Sequence, residues 1–480
     1  MNRSKIFLEN INIYCVGIKG TGMCAMAELL KNSGFKVSGS DTNEIFYTDK
    51  ILKELQIPYY ENFDASHINN NIDLIIYSAA YNENDNPELA EAKKKSIKAI
   101  SYPQALGEWS KMFDSTGIAG VHGKTSTTAI AGIMAKKLNL PVQVLVGSAV
   151  KDFNERSTVI MGNQYFIAET CEYRKHFLLF QPKRIIITSV ESDHQDFFPD
   201  YISIRDAFVE YCKLLPDNGQ IIYCADDKGA AEIVDIVKKD RNNINYIPYG
   251  FNANGLFKIE YYYTKNEEVF FKINAYNEEF VLHIPGKHLI LNATAAIALC
   301  INLLNDNNDN IDNKKWEIIK KVLYEFKGSK RRSEILGEEN GILFMDDYGH
   351  HPTAINATLK GLKEFYPNRR IIISFMSHTY TRTDALLKEF SECFEYADIV
   401  FLHKIYSSAR EKYNGGITGI TLYEKVKLKK DNVYYTENPL DAVEQLKGIL
   451  QKGDLFITMG AGNNWPLGLS LYNYYKDNNL

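Results

Sequence analysis

Gly120-Val121-His122-Gly123-Lys124-Thr125-Ser126 lies between a strand-like stretch, STGIAG, and a helix-like one, STTAIAGIMAKKL. Such a turn offers backbone amides and a helix N-terminus to phosphate oxygens, a lysine for the terminal phosphates and a hydroxyl for Mg²⁺. The common phosphate loop has four residues between its glycines; here there are only Val121 and His122. The strand-turn-helix context points to ATP, with Gly120, His122, Gly123, Lys124, Thr125 and Ser126 around its phosphates.

Two later strand-like runs, YFIAE and RIIITSVESDH, deliver Glu169, Asp193 and His194. If both belong to the sheet that carries the phosphate loop, these groups stand beyond its carboxyl edge, where α/β sheets bind ligands. One Mg²⁺ could then bridge Thr125, Glu169 and His194. Mg²⁺ prefers oxygen, so His194 fits equally well as a hydrogen-bonding loop residue, and a strand-end glutamate can simply be solvated.

An earlier turn, Gly17-Ile18-Lys19-Gly20-Thr21-Gly22, follows the run INIYCVG and opens a helix, and Asp41 comes 24 residues after Gly17. That spacing sets amides toward a diphosphate and a carboxylate toward a ribose hydroxyl. A dinucleotide site needs glycine where Lys19 stands, which points away from NAD and toward another nucleotide diphosphate; a plain structural turn has the same pattern.

Gly328-Ser329-Lys330-Arg331-Arg332 gathers three cations, either as a solvated loop or as charges entering a nucleotide cleft. MDDYGHHPT (345–353) ends a strand-like run with Asp346, Asp347, His350 and His351. These suit acid/base or substrate-orienting work, or the histidines are buried or cap the helix AINATLKGLKEF. SHTYTRTD (377–384) and MGAGNN (459–464) end two further runs and could face a shared cleft.

The elements that must position these groups are legible as apolar runs. INIYCVG, FKVSGSD, IDLIIYSAA, STGIAGVHG, YFIAE, RIIITSV, GQIIYCADD, GILFMDD, RRIIISFMS, ADIVFLHK and GDLFITMGAG each precede a polar or glycine turn and then a helical pattern. Strands alternating with helices mean βαβ units, an α/β fold with mostly parallel sheets. Boundaries near 112 and 326 divide the chain into a Rossmann-like domain (1–111), a phosphate-loop domain (112–325) and a second Rossmann-like domain (326–480). Residues 261–286 alternate aromatic and polar side chains and predict an antiparallel insertion in the middle domain. The Asn/Asp-rich tract 305–313 predicts an exposed loop.

With 480 residues, 45% of them hydrophobic and 24% charged, the chain supports several cores. A net charge of -5 argues against nucleic-acid binding through a broad basic face. Seven scattered cysteines without a C-x-x-C pair indicate neither a disulfide framework nor a zinc cluster, and suit a reducing cytoplasm. The N-terminal MNRSKIFLENINIYCVG lacks the apolar core of a secretion signal, and no window approaches the about 18 apolar residues of a membrane span. The expectation is a soluble cytoplasmic protein without membrane insertion.

GIKGTGM, SAAYNENDNPEL, GVHGKTSTT, AETCE, ESDH, PGKHLILNA, GSKRR, DDYGHHPT, HTYTRT and MGAG, in this order and spacing, resemble the Mur ligase family over essentially the whole chain. The resemblance implies a UDP-sugar domain, an ATPase domain and a C-terminal amino-acid domain, in a monomer or homodimer that makes peptidoglycan precursors. It implies transfer of ATP's γ-phosphate to the lactyl carboxylate of UDP-N-acetylmuramate, then attack of L-alanine on the acyl phosphate, with release of ADP and phosphate. Two other readings stay open: a recycling ligase that attaches a tripeptide to the same nucleotide, and an inactive nucleotide-binding sensor.

By the same resemblance, Lys124 holds the β/γ phosphates, and Thr125, Glu169 and His194 are Mg²⁺ ligands. His288 and Asn292 match adenine-side contacts, and Arg332 matches an arginine reaching ATP from the C-terminal domain. Tyr348, His350, His378 and Arg382 match the amino-acid region; Gly17, Lys19, Gly20, Thr21, Gly22, Asp41 and Ser78 match the UDP-sugar domain. Lys124, Glu169, His194, Arg332 and His350 are the catalytic set. The chain departs from the family at Lys19, where the loop must adapt or use the lysine's charge, and at His288-Leu289, which removes an amide. It departs again at Cys171, Tyr173 and Arg174, which interrupt an acidic run, and at Thr379, where an arginine is usual. YISIRDAF offers Arg205 but no lysine for carbamoylation.

Overall fold

The computed structural model describes residues 6–407, 411, 413 and 415–478. Residues 1–5 of the N-terminal stretch read above lie outside the described residues. All eleven apolar runs form strands. By contacts the chain divides into two compact units, Met1–Glu191 with Ile202–Lys258 and Asn292–Val322, and Ser192–Tyr201 with Ile259–Leu291 and Leu323–Leu480.

The first unit holds two sheets. One is a five-stranded parallel sheet in the order Tyr59–Tyr60, Lys36–Ser40, Asn12–Val16, Leu74–Tyr77, Lys98–Ser101. Its central strands are continuous apolar runs because helices cover both faces; Cys15, Val16, Ile75 and Ile76 are fully buried. Strand order reverses between Asn12–Val16 and Leu74–Tyr77, so the carboxyl ends of these two strands make a topological switch point. Gly17 and Ser78 emerge there together, and Ser78 N donates to Val16 O at 3.0 Å.

The other sheet has seven strands, in the order Asn245–Tyr249, Gln220–Cys224, Arg184–Ile187, Asp114–Ala119, Tyr165–Glu169, Val142–Val150, Arg156–Ile160. Only the edge strand Arg156–Ile160 runs antiparallel. Asp114–Ala119 pairs with both Tyr165–Glu169 and Arg184–Ile187, so Gly120, Glu169 and Thr188 leave one sheet edge side by side. Helix Lys287–Asp306 corrects one expectation: by length and composition it would span a membrane, and 78% of its most apolar window is buried in the protein. It is a core helix, with Cys300 Sγ 3.6 Å from Ala131 O.

In the second unit, Ile259–Lys265, Glu268–Ile273 and Phe280–Leu282 form the antiparallel sheet expected from alternation. It groups with this unit because helix Pro352–Phe365 packs on the chain leaving it: a Cβ on Gly361 would stand 2.7 Å from Gly286 Cα. The larger sheet runs Glu334–Glu339, Ile342–Asp347, Asp454–Met459, Arg370–Phe375, Ile399–Leu402, Val433–Tyr435, parallel except for its first strand. The turns DDYGHH, MGAGNN and SHTYTRT therefore leave three adjacent strand ends.

Candidate active site

In the first unit, Gly123 caps helix Lys124–Lys137 with φ +83°, a left-handed conformation natural to glycine, and a Cβ there would meet Asn292 Oδ1 at 2.5 Å. That close approach places Asn292 directly on the phosphate loop. Lys124 Nζ donates to Glu172 Oε2 at 2.9 Å and also contacts Gly120 O. Burial works against the lysine's charge, yet Glu172, aided by Cys171 and Glu169, holds its pKa above the ordinary value. Thr125 Oγ1 lies 3.0 Å from Glu169 Oε2, which also accepts Gly147 N at 3.0 Å. His122 N donates to Ser189 Oγ at 2.9 Å, its Nε2 contacts Glu191, and Ser126 is half-buried in the first helical turn.

Glu169 faces a second feature as well. A cavity of about 250 Å³ is lined by Gly20, Thr21, Gly22, Ser78, Tyr102 and Glu169 among others, so the first glycine turn and the carboxylate beside the phosphate loop share one space. Gly17 has φ +81°, and a Cβ there would meet Tyr81 Cε2 at 2.8 Å. Asp41 accepts Lys19 N at 2.6 Å and Thr42 N at 2.8 Å, and burial raises its pKa. The expectation that Lys19 lends its charge to a ligand meets a different arrangement: its ammonium turns inward to Asp49 Oδ1 at 3.1 Å, Glu61 Oε1 at 3.2 Å and Glu44 O at 3.0 Å. The loop adapts to the missing glycine by burying the lysine.

In the second unit, Tyr348, His350 and His378 form a chain of edge-to-face rings, 5.3 Å and 5.9 Å between centroids. Arg382 donates from Nε to Asp193 Oδ1 at 2.8 Å and from Nη1 to His378 Nδ1 at 3.0 Å, which leaves that imidazole nitrogen as an acceptor. Burial lowers the pKa of His350 well below its usual value, and the Arg382 cation adds to this against Asp193, so the ring is neutral. Its Nδ1 lies 2.9 Å from Tyr348 O. His351 takes the capping role instead: its Nδ1 accepts Thr353 N at 3.3 Å at the start of helix Pro352–Phe365.

The two arginines of the basic run are fastened, while Lys330 is exposed. Arg331 Nε donates to Asp346 Oδ2 and Nη2 to Gly460 O, each at 2.8 Å, and Arg332 lies 5.0 Å from the centre of the Tyr348 ring. The His194 backbone N–H donates to Asp193 Oδ1 at 2.7 Å. His288 packs against Gly286, where a Cβ would stand 2.4 Å from its ring. Of the predicted metal ligands, Thr125 and Glu169 belong to the first unit and His194 to the second; of the adenine pair, Asn292 belongs to the first and His288 to the second.

Sequence reasoning missed two partners. Glu172, which holds Lys124, is signalled only as the second glutamate of ETCE. Arg331 has no signal that separates it from Arg332.

Residues 12–114 match the description "Mur ligase family, catalytic domain", 118–300 match "Mur ligase middle domain" and 331–462 match "Mur ligase, glutamate ligase domain". The chain is 48% identical to a UDP-N-acetylmuramate–L-alanine ligase of Treponema pallidum strain Nichols, over 98% of both chains. It is 42% identical to the ligase of that name in Borreliella burgdorferi, over 95% of this chain and 97% of the other. Its fold matches the crystal structure of a UDP-N-acetylmuramate-alanine ligase of Thermotoga maritima with a TM-score of 0.77 at 23% identity, covering 98% of this chain and 100% of that one. With three domain descriptions matched in succession, and a relative nearly half identical from end to end, this three-domain α/β chain belongs to the Mur ligase family.

Proposed function

We propose that the protein is an ATP-dependent amide ligase that joins L-alanine to UDP-N-acetylmuramate in cytoplasmic peptidoglycan-precursor synthesis, as a monomer or homodimer. Domains 1–111, 112–325 and 326–480 take the UDP-sugar, ATP and the amino acid. The observation that carries this reading is the position of Glu169, 3.0 Å from Thr125 on the phosphate loop and on the wall of the cavity beneath the first glycine turn. A carboxylate there serves a reaction between a phosphate chain and the acid group of a nucleotide sugar.

The chemistry needs an activated acid, because a carboxylate has no adequate leaving group. A lactyl carboxylate oxygen attacks the γ-phosphorus as its bond to ADP breaks; the amine then attacks the acyl carbon, and the C–O bond to phosphate breaks. Lys124 holds the β/γ oxygens and Arg332 adds a second cation to the migrating phosphoryl group. Thr125 and Glu169 are hard oxygen donors, which suits Mg²⁺, and His194 is the third proposed ligand. When bound, Mg²⁺ offsets the negative charge shared by phosphate and carboxylate. Neutral His350 accepts a proton from the incoming amine. Gly17, Gly20, Thr21, Gly22, Asp41 and Ser78 hold the UDP-sugar, His288 and Asn292 the adenine side, and Tyr348, His378 and Arg382 the amino acid.

Phosphate release with Mg-ATP and UDP-N-acetylmuramate tests the proposal. Turnover dependent on L-alanine supports it; turnover only with L-alanyl-D-glutamyl-diaminopimelate would move the protein to precursor recycling, and none with either would favour a sensor.

A further inference from the structure

We propose that Lys19 is a positioning residue for the nucleotide sugar, an internal cation that clamps segment 41–61 around the first glycine turn. This inference rests on the UDP-sugar reading above. Lys19 is 1% exposed, and its ammonium reaches three points of that segment, Glu44 O, Asp49 on helix Thr48–Glu54, and Glu61 beyond the edge strand Tyr59–Tyr60. Its main chain is used as fully: the amide donates to Asp41 Oδ2 at 2.6 Å, and the carbonyl accepts Thr48 Oγ1 at 2.5 Å. Asp49 in turn accepts Phe46 N and Tyr59 OH, each at 2.7 Å.

One residue therefore fixes both the acceptor proposed for the ribose, Asp41, and the loop beside it. That loop carries an apolar tip, with Ile45 95% exposed and Phe46 37% exposed, while Tyr47 OH donates to Thr21 Oγ1 at 3.1 Å at the mouth of the glycine turn. A loop this poor in buried apolar contacts needs an anchor to hold one conformation. Burying the ammonium unpaired would be costly, so Lys19 and Asp49 stand or fall together. The geometry gives the lysine no free charge for the diphosphate. Its effect on binding runs through the loop.

Kinetics of Lys19→Met should show a KM for UDP-N-acetylmuramate raised about tenfold, with kcat and the KM for ATP within about twofold of wild type, and Lys19→Arg should recover part of the loss. Asp49→Asn gives the decisive sign. Loosening the clamp weakens UDP binding in calorimetry; a lysine that contacted the diphosphate directly would be freed by the same change, and binding would tighten. Tighter binding by Asp49→Asn, or an unchanged KM in Lys19→Met, overturns the proposal. Hydrogen exchange without ligand separates it from the parent reading: amides 42–48 should exchange at least about tenfold faster in Lys19→Met. Unchanged exchange overturns the clamp whatever the enzyme's substrate, whereas a wild type inactive on UDP-N-acetylmuramate with faster exchange in the variant overturns only the substrate.

Discussion

Arg382 and Asp193 form a buried ion pair, Nε to Oδ1 at 2.8 Å, with side chains 3% and 4% exposed. The pair binds segment Ser192–Tyr201 to the six-stranded sheet's turns, and it means that any carboxylate reaching Arg382 competes with one already there.

Burial works against the charge of Asp193, but the Arg382 guanidinium beside it holds its pKa well below the ordinary carboxylate range. A depressed folded pKa gives stability that is present above the unfolded value of about 3.9 and is lost as pH falls through the folded one. Arg382→Met strands the carboxylate and should cost about 3–5 kcal/mol in urea denaturation at pH 7, while Arg382→Met with Asp193→Leu should recover part of that. A loss under about 1 kcal/mol would mean the pair behaves as a solvated one.

Lys124 is parked on Glu172 at 2.9 Å, a carboxylate that the proposed function has it share with or exchange for phosphate. Lys124→Ala should lower turnover at least about 10²–10³-fold, the scale of one lost charge-stabilising donor, and leave UDP-N-acetylmuramate binding by calorimetry within about twofold. Retained turnover would remove this loop from the chemistry.

Gly123→Ala tests the loop's backbone. Its φ of +83° and the 2.5 Å approach to Asn292 Oδ1 both oppose a side chain. The left-handed conformation alone should cost about 1–2 kcal/mol, read as a raised KM for ATP, and Asn292→Ala should relieve the clash but not the strain. Equal kinetics in wild type and Gly123→Ala would show that the loop has another conformation.

The strands that carry chemistry were legible because each is a long apolar run buried on both faces. Those that escaped are of another kind. Tyr59–Tyr60, Lys98–Ser101, Asn245–Tyr249 and Val433–Tyr435 are edge strands, Arg156–Ile160 and Glu334–Glu339 are antiparallel edges, and Val142–Val150 is broken by Gly147, which lies against Glu169. The site divides similarly. Glycine turns and strand-end ligands follow local rules of backbone and phosphate geometry. What local rules cannot convey is pairing at a distance: Lys124 with Glu172, Arg382 with Asp193, Lys19 with Asp49 and Glu61. MDDYGHHPT could not say which histidine caps the helix; packing gives that work to His351 and leaves His350 beside Arg382.

That division makes His350 testable by pH. Burial is the largest cause of its lowered pKa, and the Arg382 cation adds to it against the pull of Asp193, so the folded protein holds the ring neutral where the unfolded chain protonates it near pH 6.5. The stability contributed is complete above about pH 6.5 and falls as pH drops toward the folded pKa, by up to about 1.4 kcal/mol per pH unit for one proton. His350→Gln keeps a polar side chain and removes the titration. The difference in unfolding free energy between wild type and His350→Gln should therefore change between pH 7.5 and 5.0, in favour of the variant at the acid end. The same variant should raise the KM for L-alanine about tenfold and leave that for ATP within about twofold, as expected of a group that meets only the amino acid. Parallel stability curves would place His350 in water, and an unchanged KM would take it out of the amino-acid site.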